Sequence, residues 1–223
     1  MTDAARSTQT KTAHIQCDGV ELDGLLTLPA SAAGIVLFAH GSGSSRFSPR
    51  NTSVACGLQA AGLGTLLFDL LTEHEAADRA RVFDVTLLAR RLCAARDWIR
   101  DHESTRRLAI GYFGASTGAA AALIAAADDR EIRAIVSRGG RPDMAGAALP
   151  KVMAPTLLIV GGDDTTVLDL NEQAYARLQC KKELKIVPGA SHLFEEPGTL
   201  DEVLHLATEW FARYLKKVHR EPR

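Results

Sequence analysis

Six short apolar runs recur along this chain, and the gaps between most of them are long enough for one helix. They are GIVLFAH (34–40), GTLLFDL (64–70), RLAIGYF (107–113), RAIVSR (133–138), PTLLIVG (155–161) and ELKIVPG (183–189). A continuously apolar strand is buried on both faces, which a parallel sheet covered by helices provides. Residues 51–62, 79–100, 117–127 and 168–179 read as those helices. In 79–100, Val82, Val85, Leu88, Leu92 and Ile99 recur at helical spacing, with Arg81, Arg91 and Asp97 largely opposite. A last helix starts at Thr199, with Glu202 placed for a capping box and an apolar stripe of Leu200, Val203, Leu204, Ala207 and Phe211. Residues 139–153 are irregular, with room for one brief helix. Near the start, HIQC and VELDGLLTL flank Asp18-Gly19, a pair suited to a primed hairpin turn. The prediction is an α/β fold: a mostly parallel central sheet with an antiparallel N-terminal hairpin, helices on both faces and no cap domain. Residues 1–11 read as a flexible N-terminus, 12–216 as one domain and 217–223 as a polar C-terminal tail.

Composition narrows the function classes. A chain of 223 residues with 46% hydrophobic and 24% charged residues is an ordinary globule, and a formal net charge of −1 gives no reason to expect nucleic acid or an acidic membrane surface. The opening MTDAARSTQTKTAHIQ lacks the apolar core of a signal peptide, and no run reaches eighteen apolar residues. The expectation is a cytoplasmic protein with no membrane partner. Cys17, Cys56, Cys93 and Cys180 lie far apart with no C-x-x-C or metal-ligand spacing. They read as reduced thiols, mostly core filler, and neither metal nor organic cofactor is expected.

The chemistry should stand where the parallel strands end, because that is where open sheets place their crevice. Ser42, Gly43 and Arg46 follow the first run, Asp69 follows GTLLF of the second, and Ser116 follows the third. Arg138 ends the fourth, Asp163 and Asp164 follow the fifth, and Ser191 and His192 follow the sixth. A serine, an acid and a histidine thus stand at three strand ends, in the order Ser, Asp, His. GASTG (114–118) also fits G-x-S-x-G, a sharp strand-to-helix turn that lifts a serine hydroxyl clear of the sheet. A serine is a weak nucleophile without a base in reach, and the histidine supplies one.

Plainer readings compete at each position. Ser116 is also a good helix N-cap. Either aspartate can serve loop N–H groups. His205 falls in mid-helix and His219 in the charged tail, which leaves His192 as the base. His40 and Asp69 read as loop-holding groups. Arg46, Arg50, Arg138 and Arg141 read first as ion-pair partners of the loops, and second as binders of a substrate carboxylate or phosphate.

On FAHGSGSS, GASTG, GGDDTTV and GASHLFEEPG, in that order, the chain resembles the α/β-hydrolases, in the dienelactone-hydrolase-like branch. The resemblance covers the chain from about residue 14 to about 216. It implies Ser116 as nucleophile, Asp164 as acid through the pattern Gly161-x-x-Asp164-x-x-Val167, and His192 as base. It also implies an oxyanion hole from the backbone N–H groups of Thr117 and Ser42. The enzymes that name the branch carry a cysteine nucleophile. Serine here points to ordinary ester chemistry. Some relatives of the branch resemble partners of phosphoribosyltransferase domains, sometimes on one chain.

The function expected is a serine hydrolase cleaving a small ester or lactone, with Gly43, Arg46 and Arg141 as candidate substrate-binding residues. The alternatives are a non-catalytic small-molecule binder and an acyltransferase to an acceptor other than water. A small substrate is expected because 139–153 is the one candidate cover, and it opens on the mobile-turn pair Gly139-Gly140.

Overall fold

A computed structural model describes residues 8–215. Both residues of the first turn take positive φ, Asp18 at 49° and Gly19 at 77°, so the chain folds back as a primed hairpin. That hairpin joins β1 (Thr8–Cys17) to β2 (Val20–Pro29), paired antiparallel from Thr8↔Pro29 to Cys17↔Val20. Residues 8–11, expected to be flexible, therefore belong to an edge strand. The ladder supplies partners for backbone groups that a polar composition alone does not reveal. Residues 1–7 and the tail 217–223 lie outside the described residues.

The remaining strands are β3 (Gly34–Ala39), β4 (Gly64–Phe68), β5 (Ala109–Ala115), β6 (Ile132–Arg138), β7 (Thr156–Gly161) and β8 (Lys182–Val187). The eight strands form one sheet in the order β1-β2-β4-β3-β5-β6-β7-β8. β2 meets β4 antiparallel, and β4, β3, β5, β6, β7 and β8 run parallel. The expected mostly parallel sheet with an antiparallel hairpin at its edge is what forms. The chain moves one way from β3 to β4 and then back across β3 to β5. That reversal opens a crevice beyond the ends of β3 and β5.

Period-two alternation splits the core. Val36 and Phe38 face α1 (Pro49–Ala60) and α7 (Thr199–Leu215), with Val54, Leu58, Val203 and Phe211. Ile35 and Leu37 face the opposite layer, where Leu88, Leu92 and Ile99 come from α4 (Val85–Asp101) and Ala121 and Leu123 from α5 (Thr117–Ala125). No helix among the described residues is long and apolar enough to cross a membrane.

Several local expectations are corrected. The helix expected over 79–100 is divided into α3 (Arg79–Val82) and α4, because the Asp84 side chain caps Thr86 and Leu87 and starts a new helix. A further short helix, α2 (Glu73–Ala76), precedes them, opened by a capping box between Thr72 and Glu75. The box expected at Thr199 does not form. Thr199 lies inside the first turn of α7, where its hydroxyl donates to the Glu196 carbonyl, and Glu202 N–H bonds Gly198. α6 (Thr165–Arg177) starts earlier than the apolar pattern indicates. The cysteines are core filler only in part: Cys93 and Cys180 are half-buried and pack against the core, Cys17 is half-buried and Cys56 is exposed.

Arg91 is the largest departure. Expected on the solvent face, it is 2% exposed. Its guanidinium reaches Glu75 at 2.9 Å and also donates to the Cys17 carbonyl, which ties α4 to α2 and to the hairpin. Burial pushes the Glu75 carboxyl up, but the Thr72 N–H and the Arg91 and Arg81 charges outweigh it, and the net shift is downward. Breaking a buried pair leaves one charge uncompensated, at a cost of about 3–5 kcal/mol. Glu75→Gln is therefore expected to lower the unfolding free energy by about 3 kcal/mol in urea denaturation. Lys151→Ala, which removes the exposed pair with Asp128, should leave the midpoint unchanged.

Candidate active site

β5 delivers Ser116 to the sheet's edge with φ 51° and ψ −123°, a conformation that costs a residue with a Cβ about 1–3 kcal/mol. Surrounding contacts hold it there. Ser116 N–H donates to the Arg138 carbonyl at 3.3 Å, and its own carbonyl accepts from Arg141 N–H at 3.0 Å and Ala119 N–H at 3.1 Å. Close approach explains two glycines. A Cβ on Gly118 would lie 2.1 Å from the Ala39 carbonyl oxygen, and one on Gly41 would lie 2.9 Å from Ser116 Cβ. The tips of β3 and β5 therefore touch across the serine. Ser116 stands at the N-cap position of α5, yet its side chain makes no capping bond. The plainer reading of this serine is not what the hydroxyl does.

Asp164 repeats the arrangement. It stands at the N-cap position of α6, and its side chain makes no capping bond. Instead its Oδ2 lies 2.7 Å from His192 Nδ1, with the aspartate side chain 14% exposed. Asp163 is exposed, and its N–H is held by the Ala190 carbonyl. Of the two neighbouring acids, Asp164 is the one that meets the histidine.

His192 sits in the loop after β8. Ser191 N–H donates to Glu196 Oε2 at 3.1 Å, and buried Phe194, at φ 57°, donates its N–H to the Ser191 carbonyl. A Cβ on Gly139 would lie 3.0 Å from the His192 carbonyl oxygen and 3.7 Å from its Nδ1. The His192 loop thus lies over the end of β6, whose last carbonyl bonds Ser116. With Nδ1 held by a carboxylate, Nε2 is the nitrogen left to take up a proton. His205 lies on exposed α7 surface, 3.5 Å from Glu209, and His219 is outside the described residues.

Thr117 opens α5, so its N–H has no helical partner to bond. Ser42 is brought beside it, but Ser42 N–H donates to Thr117 Oγ1 at 3.0 Å. His40 steadies the same loop. Its Nε2 accepts the Leu70 N–H at 3.1 Å, and Nδ1 donates to the Gly41 carbonyl at 3.0 Å. Burial pushes this imidazole below its ordinary range, which keeps it neutral for both bonds.

The arginines divide. Arg46 is bound to Asp69 through its N–H at 2.6 Å and through its guanidinium, with Asp23 at 3.4 Å. Arg141 grips Asp143 in a two-pronged pair at 2.9 and 2.8 Å. Arg50 reaches Glu195 at 3.0 Å. Arg138 has no carboxylate partner among the described residues. Gly43 takes φ 69° at the turn of the 41–47 loop.

A cavity of about 810 Å³ opens beside that loop, walled by Ser42, Phe47, Asp69, Leu71, His74 and Val82 among others. One wall comes from the 71–82 stretch, whose first part, 71–78, falls between the strand expected at 64–70 and the helix expected over 79–100. The Thr72-x-x-Glu75 capping box was the signal that could have marked it. The stretch expected to be the cover, 139–153, instead winds as a 3₁₀ segment (Pro142–Lys151) against α5 and α6.

A switch-point crevice, a serine at positive φ between strand and helix, and a carboxylate-held histidine after the last strand are the marks of the α/β-hydrolase fold. The chain belongs to the dienelactone hydrolase family, whose model matches residues 22–216. It is 56% identical to a dienelactone hydrolase from Anabaena variabilis ATCC 29413, with a TM-score of 0.91 over 94% of this chain and 99% of that one. Est1E from Butyrivibrio proteoclasticus, at 16% identity and a TM-score of 0.76 over 91% and 98% of the two chains, shares the fold. A Mycobacterium tuberculosis H37Rv protein named "Putative phosphoribosyl transferase" is 58% identical over 197 residues. That match takes in 88% of this chain and 44% of the relative, so the chain spans less than half of the relative's length.

Gly118→Ala tests the elbow, since its Cβ would strike backbone and no flexible side chain can yield. The expected outcome is a loss of about 3 kcal/mol in unfolding free energy, at the upper end for overpacking. Gly43→Ala, with open space around its Cβ but φ 69°, should lose about 1 kcal/mol.

Proposed function

We propose that this chain is a serine hydrolase that cleaves a small ester or lactone by acyl transfer. The observation that carries the reading is the 2.7 Å pairing of Asp164 with His192, together with a strained Ser116 that does not cap its helix. In this reading Ser116 Oγ attacks the carbonyl carbon while His192 Nε2 takes its proton. Asp164 holds the imidazole in the right tautomer and stabilises it once charged. The proton then passes to the leaving group, an acyl-enzyme forms, and water releases it by the same steps in reverse order of roles.

The developing oxyanion would be met by Thr117 N–H and Ser42 N–H. Because Ser42 N–H donates to Thr117 Oγ1 at rest, the incoming oxygen must share or take over that bond. One such donor is worth about 10²–10³ in kcat. A pure binder would need no carboxylate behind the histidine, which weighs against the non-catalytic alternative.

The cavity meets the proposed site only through Ser42, since Ser116, Asp164 and His192 do not line it, and its walls bear on what an acyl or alcohol group passing the 41–47 loop would meet. Glu21, Asp23, Arg46, Asp69 and Glu73 all reach it. Arg46 already pairs Asp69 and Asp23, so a long alkyl chain lying there would strip water from Glu21 and Glu73 without giving them a new partner. The transferase named for the Mycobacterium relative belongs to a protein more than twice this chain's matched length, and no step here draws on it.

The expected outcome with a fluorophosphonate probe is a single adduct on Ser116, lost in Ser116→Ala and read by intact-mass spectrometry. A folded wild-type protein that takes no adduct would return the reading to a binder. On p-nitrophenyl acetate, Asp164→Asn should slow kcat by roughly two or more orders of magnitude. Asp163→Asn should stay within about threefold, since the exposed Asp163 carboxylate is not the one that meets His192.

A further inference from the structure

Arg138 is the last residue of β6 and is 6% exposed. Its carbonyl takes the Ser116 N–H, and the next residue, Gly139, lies against His192. The side chain therefore leaves the backbone at the floor of the crevice, beside both residues proposed to react. Its guanidinium reaches Asn51 Oδ1 at only 3.5 Å and stands 5.9 Å from the Phe194 ring centre. Nε is buried with no hydrogen-bond partner among the described residues.

The neighbouring charge has the same sign. Arg50, in the first turn of α1 and next in sequence to the Asn51 that Arg138 reaches, is near enough for its charge to act on Arg138, and its buried Nε also has no partner among the described residues. Burial first, and the Arg50 charge second, push Arg138 down to about 10. The first turn of α1 carries no acidic residue, so its positive end adds to the two cations. The acid that answers them is Glu195, which bonds Arg50 Nη1 at 3.0 Å and is itself 63% exposed. Arg46, Arg91, Arg96 and Arg141 all have carboxylates of this chain beside them. A cation buried without a counter-charge is unfavourable unless something else supplies one.

We propose that Arg138 and Arg50 form an anion subsite that receives a carboxylate or phosphate carried by the substrate at a position away from the scissile carbonyl. Glu195 is the resident counter-ion of Arg50 that such a group displaces. Two guanidinium forks suit the planar or tetrahedral array of oxygens in either anion. Calling the bound molecule a substrate rests on the hydrolase reading. The anion subsite itself does not.

Thermal unfolding of the folded protein tests the subsite without turnover. Tm is compared in inorganic phosphate, in succinate and in chloride at equal ionic strength, for wild type, Arg138→Met, Arg138→Lys and Arg50→Gln. Wild type is expected to gain about 2 °C or more over chloride in phosphate, in succinate or in both, a shift of readable size for a chain of this length. A gain in phosphate alone identifies a phosphorylated substrate, and a gain in succinate alone a carboxylate. Arg138→Met should raise Tm in chloride, because it removes an uncompensated buried cation, and should abolish the anion-dependent gain. That loss separates site binding from the general stabilisation that phosphate gives proteins. Arg138→Lys, which keeps a charge without the fork, should retain part of the gain, and Arg50→Gln should reduce it. No gain in either anion, or an Arg138→Met protein that keeps the gain or unfolds at lower temperature in chloride, would overturn the proposal.

A second readout is the ratio of kcat/KM for mono-p-nitrophenyl succinate to that for p-nitrophenyl acetate. If the succinate gain is seen, wild type should favour the anionic ester by about tenfold or more, and Arg138→Met and Arg50→Gln should bring the ratio near one. Equal losses on both esters would contradict the subsite. If neither ester is cleaved and Ser116 takes no fluorophosphonate, the hydrolase reading fails, and the Tm series still decides the subsite.

Discussion

The close seating of α5 against the ends of β3 and β5 is the contact on which the rest depends. Gly118 lets the helix approach the Ala39 carbonyl to a distance that admits no Cβ, and Gly114 does the same against Ala119. Almost every side chain of α5 is small and buried. A longer side chain on this face would lift the helix away from the strands. Three results follow from the contact. Ser116 is held at positive φ with its hydroxyl free of capping. The free N–H at the start of α5 lies beside it. Thr117 comes within reach of Ser42, so the loop after β3 is pinned to the helix that carries the serine.

Charge placement then sets what the crevice can and cannot hold. The 41–47 loop is fixed by Arg46 on Asp69 and by a neutral His40, which bridges Gly41 and Leu70. The wall formed by residues 71–82 is anchored by the buried Glu75–Arg91 pair. These arginines have carboxylates beside them and act as structural ties. Arg138 differs in kind. Held at 6% exposure with a like charge for a neighbour, it costs stability on the order of a few kcal/mol. Such a cost persists where a site needs it more than the fold does.

Much of the architecture was legible because the strands carry a strong signal. Runs such as IVLF and TLLF sit wholly inside, and a chain that alternates such runs with helical segments has few topologies open to it. The reading failed where a contact distant in sequence overrode a local pattern. Thr8 to Lys11 look like a frayed end until β2 gives them a ladder. Arg91 looks solvent-facing on its helix until Glu75 and the Cys17 carbonyl close over it. Thr199 and Thr72 each have an acid three residues on, and only the Thr72 box forms, because Thr199 is already inside its helix and its hydroxyl is turned back to Glu196.

At the site, the sequence by itself determined which residue types stand at the strand ends and in what order. The spacing of GASTG, of the paired aspartates and of the loop histidine is a property of the chain alone. The pattern Gly161-x-x-Asp164-x-x-Val167 already pointed to Asp164, and the tertiary structure added the contact itself, with Asp164 rather than the exposed Asp163 meeting His192. It also sorted the four crevice arginines, which are indistinguishable in sequence. Arg141 pairs locally with Asp143, whereas Arg46 and Arg50 find Asp69 and Glu195 on distant elements, and Arg138 has no carboxylate partner among the described residues. A charge's role depends on what stands within a few ångströms of it, and that distance is set by folding rather than by position in the chain.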